Sequence, residues 1–311
     1  MEKDKNPYRS GFVTIIGRPN AGKSTLLNTI LGRKIAIVTK KPHTTRNRII
    51  GIKTIEEKKQ KAQVVFMDTP GILPRPRTKL DEAMMREARE AMLEVDALLF
   101  MVEPRPPGRE EKEIIKLISQ APHVFLLINK VDTVRKPKLL PVIEEYSRLY
   151  SFDEIIPVSA LNADGVDIML EKLIGYMPEG PQYYPEDLVT DQVERFMVSE
   201  IIREKVMEAT FEEVPGSVAV EVVNWQEGAG TEGEANAARG GIVRISADIW
   251  VEREGQKGII IGKGGRMLRD IGTAARRDIE KLLNARIFLE LWVKLKKDWR
   301  SDDRSIKELG F

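Results

Sequence analysis

The sequence contains no cysteine and only two histidines, His43 and His123. The missing thiols exclude disulfides, cysteine nucleophiles, thiolate zinc sites and cysteine-ligated iron–sulfur clusters, and two histidines are too few for a polyhistidine metal site. Long apolar runs are also missing, since Ala97–Val102 and Val124–Ile128 are far shorter than the ~20 residues that cross a bilayer. The charged segment 1–7 has no apolar core and is not a secretory signal. We therefore expect a cytoplasmic protein.

A large excess of charge of one sign is absent as well. Lys and Arg number 50 and Asp and Glu number 48, which leaves a net charge of +2. Any nucleic-acid surface must therefore be a local basic patch, because phosphate binding needs clustered cations. The length of 311 residues predicts roughly two domains at about 150 residues each.

The first half of the chain alternates short apolar runs with longer amphipathic stretches such as Leu80–Leu93 and Glu110–Ile118. The runs are apolar throughout, as expected for strands buried on both faces of a parallel sheet. They are Phe12–Ile16, Val64–Met67, Leu98–Val102, Val124–Ile128 and Ile155–Val158, with Arg46–Ile55 as a further strand. We predict an α/β domain with a mostly parallel six-stranded sheet and helices on both faces.

The segment Tyr176–Pro185 holds three prolines and a glycine, which is typical of a linker between domains. We predict a first domain over residues 1–178, a linker over 179–190 and a second domain over 191–311.

In the second domain, a helix is predicted to carry one apolar face. Apolar and polar residues then alternate along three strands, which indicates a sheet with one covered face and an α+β domain. The helix face comprises Val193, Phe196, Met197 and Ile201, and the strands begin at Val218, Val243 and Ile287. The Gln226–Gly241 segment, rich in Gly, Ala and Glu, is predicted to be a flexible hairpin loop with no assigned function.

The first apolar run leads directly into a phosphate-loop motif, G-x-x-x-x-G-K-S, which is followed by the helix Leu26–Leu31. Glycines let successive backbone N–H groups face a polyphosphate, and the helix N-terminus adds positive potential. Lys23 is predicted to reach the β- and γ-phosphates, and the Ser24 hydroxyl to bind Mg²⁺. The predicted phosphate-binding residues of this loop are Gly17, Asn20, Ala21, Gly22, Lys23, Ser24 and Thr25.

Asp68-Thr69-Pro70-Gly71 follows the second buried strand. A carboxylate at the carboxyl end of such a strand faces the ligand crevice, so we predict that Asp68 helps to hold Mg²⁺ and that the Gly71 N–H contacts the γ-phosphate. The next position is Ile72, whose apolar side chain has no hydrogen-bonding group that could orient a water molecule for attack on the γ-phosphate. We therefore expect slow unaided hydrolysis.

Asn129-Lys130-Val131-Asp132 follows the strand Val124–Ile128. The Asp132 carboxylate can accept two parallel hydrogen bonds from guanine, and it would be left unpaired by adenine. Ser159-Ala160-Leu161 follows the next strand and offers a backbone N–H to the guanine carbonyl. We predict that Asn129, Lys130, Asp132, Ser159, Ala160 and Leu161 form the guanine site.

These motifs, in this order and spacing, resemble the GTPase superfamily and its branch of bacterial translation-factor-related GTPases. Residues 41–46, Lys-Pro-His-Thr-Thr-Arg, are similar to the first switch of that branch, in which a threonine completes the Mg²⁺ shell. We favour Thr45 over Thr44 for this role and assign Asp68–Ile72 to the second switch. The resemblance implies that Asn20 helps to hold K⁺ near the phosphates. His43 is predicted to be a solvated loop residue rather than a catalytic one.

The second domain contains Ile-Ile-Gly-Lys-Gly-Gly between two predicted helices, which resembles the G-x-x-G loop of a KH domain, here of type II. Such a loop clamps single-stranded RNA through its backbone. Between Lys257 and Arg277, six basic residues face one acid, Asp270, which is a local phosphate footprint. The predicted RNA-binding residues are Lys257, Gly262, Lys263, Gly264, Gly265, Arg266, Arg269, Arg276 and Arg277.

One GTPase unit followed by one KH domain resembles the Era family from Gly11 to Phe311. The resemblance implies a monomeric GTPase that uses GTP and Mg²⁺, binds the 3′ end of 16S ribosomal RNA and acts in assembly of the 30S subunit. Peripheral association with the inner face of the cell membrane belongs to the same expectation, although RNA binding explains the basic patches better. The alternative is a GTP-switched RNA-binding checkpoint protein with negligible turnover. The Asn-Lys-x-Asp motif disfavours a metabolic P-loop kinase.

Overall fold

The computed structural model describes residues 7–41, 43–57, 60–73, 75–93, 95–227 and 241–311. Most of the predicted loop at 226–241 lies outside the described residues. The chain divides into two compact units with the boundary between Asp191 and Gln192, and residues 39–42 and 78–80 group with the second unit. In the described residues, no helix is both long and apolar enough to cross a membrane.

The first unit is built around one six-stranded sheet. The strands are β1 (Arg9–Gly17), β2 (Ile49–Glu57), β3 (Gln60–Asp68), β4 (Ala97–Val102), β5 (Val124–Ile128) and β6 (Glu154–Pro157). Their order is β2-β3-β1-β4-β5-β6, and β2 alone runs antiparallel to its neighbour. Every residue of β4 and β5 is buried, which explains why their sequences are apolar throughout.

Helices connect these strands and extend the α/β pattern. They are α1 (Lys23–Leu31), α2 (Lys79–Glu90), α3 (Arg109–Ile118), α4 (Leu139–Leu149) and α5 (Val166–Tyr176). The parallel strands bring their carboxyl ends to one edge of the sheet, where Gly17 pairs with Met101 and Val102 pairs with Ile128. All the nucleotide motifs predicted from the sequence leave the sheet at this edge. The predicted mostly parallel sheet is confirmed.

The second unit combines a three-stranded sheet with helices. Its elements are α6 (Glu194–Ala209), α7 (Val214–Ser217), β7 (Ala219–Gln226), β8 (Val243–Val251), α8 (Glu254–Ile261), α9 (Arg266–Leu283), β9 (Ile287–Leu295) and α10 (Asp303–Glu308). The sheet order is β7-β8-β9, with β7 antiparallel and β9 parallel to β8. The five apolar residues of β8 are all buried, so the predicted alternation is confirmed.

One predicted core position in this unit is wrong. Val193 is 66% exposed, whereas Met197 and Ile201 are buried. The backbone of Val193 is extended, because this residue caps α6 instead of belonging to it. It therefore does not continue the apolar face of the helix.

The predicted linker is fixed to the first unit by hydrogen bonds. The Gln63 side-chain oxygen accepts from the backbone N–H groups of Tyr183 and Tyr184, at 2.9 Å each, and its amide donates to the Tyr184 carbonyl at 2.9 Å. Further along, the Ile52 N–H in β2 donates to the Val189 carbonyl at 2.7 Å. The linker therefore lies along the outer strands of the sheet.

Candidate functional site

The phosphate loop connects β1 to α1 and depends on close backbone packing. Gly22 has a φ of +106°, and a β-carbon there would lie 2.2 Å from the Asn129 side-chain nitrogen, so only glycine fits. Lys23 is buried, and its Nζ donates to the Arg18 carbonyl at 3.2 Å. Burial lowers the pKa of Lys23, while the charge of Asp68 opposes the shift. A partly desolvated ammonium inside this loop is suited to bind a polyphosphate.

Three oxygen-bearing side chains meet beside the start of α1. The Ser24 hydroxyl donates to Asp68 Oδ2 at 2.5 Å and lies 2.9 Å from the Thr45 hydroxyl. The Thr45 hydroxyl is 3.5 Å from the same carboxylate oxygen. The structure thus brings together the three residues predicted to bind the metal, one from the phosphate loop and one from each predicted switch.

This cluster fits Mg²⁺, which prefers oxygen ligands and keeps several positions for phosphate and water. Asp68 is fully buried, and among the described residues no group hydrogen-bonds its Oδ1 atom. Burial raises the pKa of Asp68 to about 6, against the charge of Lys23 and the hydrogen bonds from Ser24 and Thr45. A divalent cation would satisfy the free oxygen and favour the ionised carboxylate.

The second switch begins in close contact with the phosphate loop. A β-carbon on Gly71 would lie 2.7 Å from the Pro19 nitrogen, so the close approach requires glycine. The Ile72 N–H donates to the Gly17 carbonyl at 3.1 Å, and its side chain is 1% exposed within the core near Met85. Ile72 is therefore a core residue and cannot orient a water molecule. The neighbouring Thr69 hydroxyl donates to the carbonyl of Ile15, and Pro70 is buried beside it.

The guanine motif is tied to the phosphate loop by one amide side chain. Asn129 donates to the Ala21 carbonyl at 2.8 Å and accepts from the Ala160 N–H at 2.9 Å. The Ser159 hydroxyl donates to Asp132 Oδ1 at 2.6 Å and so fixes the carboxylate that is predicted to read the base. The two segments predicted to hold guanine thus lie together.

The remaining predicted residues of the first unit lie around these contacts. Leu161 is 77% exposed, and Thr25 is half-buried in the first turn of α1. Thr44 is half-buried beside Thr45 in the segment before β2. His43, in the same segment, has a φ of +60°, and its Nδ1 lies 3.5 Å from Asp81 Oδ1.

In the second unit, a glycine loop connects α8 to α9. Gly262, Gly264 and Gly265 have φ values of +70°, +62° and +75°, which glycine adopts without strain. An open groove of about 400 Å³ lies between α9 and β9. Its lining residues are Gly265, Leu268, Arg269, Gly272, Thr273, Arg276, Leu289 and Leu291.

Three of the predicted RNA-binding residues, Gly265, Arg269 and Arg276, line this groove. The other predicted basic residues, Lys263, Arg266 and Arg277 on the loop and α9 and Lys257 on α8, are exposed or half-buried.

Sequence reasoning missed the apolar floor, Leu289 and Leu291, because it treated their strand only as core. It also missed Gly272 and Thr273. The signal for this pair was a run of small residues on the basic helix, where longer side chains would fill the groove.

Comparison with known proteins matches both units. The profile of the family described as "50S ribosome-binding GTPase" matches residues 12–130, and that of the KH domain matches residues 213–300. GTPase Era of Geobacter metallireducens is 52% identical over 308 residues, which cover 98% of this chain and 99% of the relative. GTPase Era of Ruminiclostridium cellulolyticum is 50% identical over 306 residues, or 98% of each chain.

Solved structures agree with these relatives. An Aquifex aeolicus Era variant bound to GDP·AlF4⁻ superposes with a TM-score of 0.89 at 38% identity and covers 97% of this chain and 99% of its own. The structure of Era in complex with MgGDPNP and nucleotides 1506–1542 of 16S ribosomal RNA has the same TM-score, identity and coverage. The resemblance found in the sequence motifs therefore extends over nearly the whole chain, and the chain belongs to the Era family of GTPases.

Proposed function

We propose that this GTPase binds GTP and Mg²⁺ in the first unit and the 3′ end of 16S ribosomal RNA in the second, and that it acts in assembly of the 30S subunit. The observation that carries the nucleotide site is the meeting of Ser24, Thr45 and Asp68 beside the phosphate loop. The relative that holds MgGDPNP and a 16S RNA fragment supports the pairing of the two ligands. Residues 1–178, 179–190 and 191–311 are proposed as GTPase domain, linker and KH domain.

Different residues bind the phosphates and the guanine base of the nucleotide. Gly17, Asn20, Ala21, Gly22, Lys23, Ser24, Thr25 and Gly71 hold the phosphates, and Asp132 with Ser159, Ala160 and Leu161 holds guanine. Ser24, Thr45 and Asp68 would hold Mg²⁺, which when bound would neutralise charge that develops on the phosphates during hydrolysis. Lys23 contributes a second positive charge there, and its low exposure strengthens the electrostatic interaction.

The buried position of Ile72 favours a second candidate function, a GTP-dependent RNA-binding checkpoint with negligible turnover. The Ile72 side chain cannot orient a water molecule, so hydrolysis relies on another group or on a cation beside Asn20. Phosphate release with and without RNA, in KCl and in NaCl, separates the two functions. Measurable turnover that rises in KCl supports hydrolysis with potassium, and turnover at background in every condition supports the checkpoint.

The RNA proposal rests on the glycine loop and the adjoining groove. A groove with a backbone clamp at one end, an apolar floor and two arginines suits a short single-stranded segment. The test is the affinity for an RNA that carries nucleotides 1506–1542 of 16S ribosomal RNA, the segment bound by the relative. A scrambled RNA of equal length and composition is the control, and equal affinity for the two would contradict the proposal.

The proposal includes a cytoplasmic location, because the RNA partner is part of the ribosome. It also includes a monomeric state. Gel filtration of the full chain with multi-angle light scattering tests the monomer, and a mass of twice 35.3 kDa would contradict it.

A further inference from the structure

A chain of charged side chains joins the phosphate loop to the guanine motif. Arg18 Nη1 and Arg105 Nη2 both lie close to Glu111 Oε1, at 3.2 and 3.0 Å. Arg105 Nε is 3.3 Å from Glu103 Oε2, and Lys130 Nζ is 2.6 Å from Glu103 Oε1. We call these five residues the charge network. Apart from Lys130, its members have no role in the nucleotide site described above.

Both ends of the charge network lie in segments that are proposed to hold the nucleotide. Arg18 follows Gly17 in the phosphate loop, and Lys130 is the lysine of the guanine motif. Lys130 Nζ also donates to the backbone carbonyl of Asn20 at 2.8 Å. The Lys130 backbone is left-handed, with a φ of +61°, a conformation that non-glycine residues adopt infrequently. The side-chain contacts with Glu103 and Asn20 therefore oppose local relaxation of the guanine motif.

The centre of the charge network is the buried carboxylate of Glu111, and each of its two oxygens has a partner. Glu111 is 3% exposed, and its second oxygen accepts from the Gly108 N–H at 3.0 Å, which caps α3. Burial would raise the pKa of Glu111, but a backbone hydrogen bond and the two guanidinium groups lower it below its usual range. A buried carboxylate that lost one of its cations would be costly, so the network favours one arrangement of its loops.

We propose that Glu103 and Glu111 are positioning residues that hold the phosphate loop and the guanine motif at the spacing required by guanine nucleotides. The inference rests on the proposed nucleotide site. Without the network, the two segments would occupy the binding-competent arrangement for a smaller fraction of the time. Apparent affinity falls in proportion to that fraction, and nucleotide is released faster.

The position of the network predicts an unusual pattern of effects. The charge network contacts the two segments that are proposed to bind guanine and the phosphates shared by GDP and GTP. Thr45 is not part of the network, and its hydroxyl lies close to Ser24 and Asp68 instead. Loss of the network should therefore weaken GDP and GTP binding by the same factor. The rate of hydrolysis at saturating GTP should stay within about twofold, so that KM changes and kcat does not.

The test uses Glu103→Gln in the full chain, because this side chain is 38% exposed and its loss leaves no buried charge. GDP release should become about tenfold faster, with equal losses of affinity for GDP and GTP. The matched control is Glu113→Gln, which removes an exposed ion pair with Arg109 on the same helix that Glu111 caps. Thermal unfolding of each variant shows whether the fold is intact.

A second variant tests whether the residues act as a unit. If they do, Glu103→Gln combined with Arg18→Gln releases GDP no faster than the more impaired single variant. Fold-changes that multiply would show independent contacts and overturn the network. Unchanged GDP release in Glu103→Gln, a loss confined to GTP, or a fall in kcat would overturn it as well. Failure of the unmodified chain to bind GDP would instead contradict the proposed nucleotide site.

Discussion

At the scale of single residues, Asp132 is the position on which we propose that base selectivity depends. Ser159 holds one of its oxygens at 2.6 Å and thereby limits rotation of the carboxylate. Asp132→Asn should weaken GTP binding by about 100-fold, because two charge-assisted hydrogen bonds are lost, and should allow xanthosine triphosphate to bind. Competition of the two nucleotides for the protein measures this. Asp167→Asn, at an exposed position of α5, is the control, and normal GTP affinity in Asp132→Asn would refute the assignment.

Thr45 offers a second test at this scale. Because its hydroxyl lies 2.9 Å from that of Ser24, Thr45→Ala should reduce Mg²⁺-dependent hydrolysis by about tenfold or more and leave GDP affinity nearly unchanged. Thr45→Ser keeps the hydroxyl and should restore most of the rate. Thr44→Ala is the matched control from the neighbouring position. A larger defect in Thr44→Ala than in Thr45→Ala would reverse the assignment.

Most residues of the proposed nucleotide site could be predicted from the sequence because their spacing is fixed by the geometry of one loop or one strand end. Residues 17–25 and 129–132 belong to this class. The charge network was not predictable in the same way. Glu103 and Arg105 lie in a connection without a periodic pattern, and the contacts of Arg18 with Glu111 and of Lys130 with Glu103 join residues 93 and 27 positions apart. These charges come together because α3 packs with β4 and β5 in one apolar cluster.

At the scale of elements, we propose that α8, the glycine loop and α9 together determine RNA binding. Around Gly265, a β-carbon would meet no atom within 4 Å, so the side chain of an aspartate has room there, while the φ of +75° strains any residue other than glycine. Gly265→Asp should weaken RNA binding more than tenfold, because its carboxylate would repel a phosphate, and should leave GTP affinity intact. Gly265→Asn, which has the same shape without the charge, is the control. Equal RNA affinity in the two variants would contradict a phosphate contact at this loop.

Neighbouring arginines on α9 provide a finer test of the groove. Arg276 lines the groove, whereas Arg277 lies about 100° further around the helix. Arg276→Ala should reduce the slope of log K against log[salt] by up to ~0.7, the value for one phosphate contact on a single strand. Arg277→Ala should change it less. A salt titration of RNA affinity for the two variants decides which face of α9 meets the RNA.

The linker is an element whose composition predicted only part of its behaviour. Prolines indicated a stiff connection, but its attachment to β3 depends on the Gln63 side chain, to which the sequence analysis assigned no role. Gln63→Ala should lower the free energy of unfolding by about 1–3 kcal/mol, because the part-buried N–H groups of Tyr183 and Tyr184 lose their acceptor. The first transition in urea measures this. Gln182→Ala, at an exposed position, should change it by less than about 1 kcal/mol.

At the scale of the whole molecule, the two ligands should affect each other. The linker carbonyl at Val189 is bound by Ile52 in β2, the strand that directly follows the first switch. We expect this hydrogen bond to pass a reordering of that switch to the segment that leads into the second unit. We expect a coupling of about 1–3 kcal/mol, with GTP and RNA tightening each other by the same factor. RNA titrations of the GDP-bound and GTP-analogue-bound protein measure it, and identical affinities would leave two independent domains.

The overall architecture was predictable because the strands of each unit have a clear hydrophobic pattern. In the first unit the strands are apolar throughout, and in the second unit apolar and polar residues alternate. The sequence did not reveal where the backbone of a helix or strand departs from these patterns. Val193 is an example, since its apolar side chain matches the helical spacing while its backbone is already extended. The bulge between Val222 and Asn224 is another, because the alternation there shifts by one residue.

The burial of Ile72 has a consequence for protein engineering and for evolution. A glutamine at this position would have to place its amide in an apolar core, where an unpaired polar group costs about 1–3 kcal/mol. Copying the glutamine of faster GTPases into this chain would therefore lower its stability and still leave the amide away from the attacking water. We therefore expect faster hydrolysis to come from a partner that inserts a polar group into the site, and not from a single substitution at residue 72.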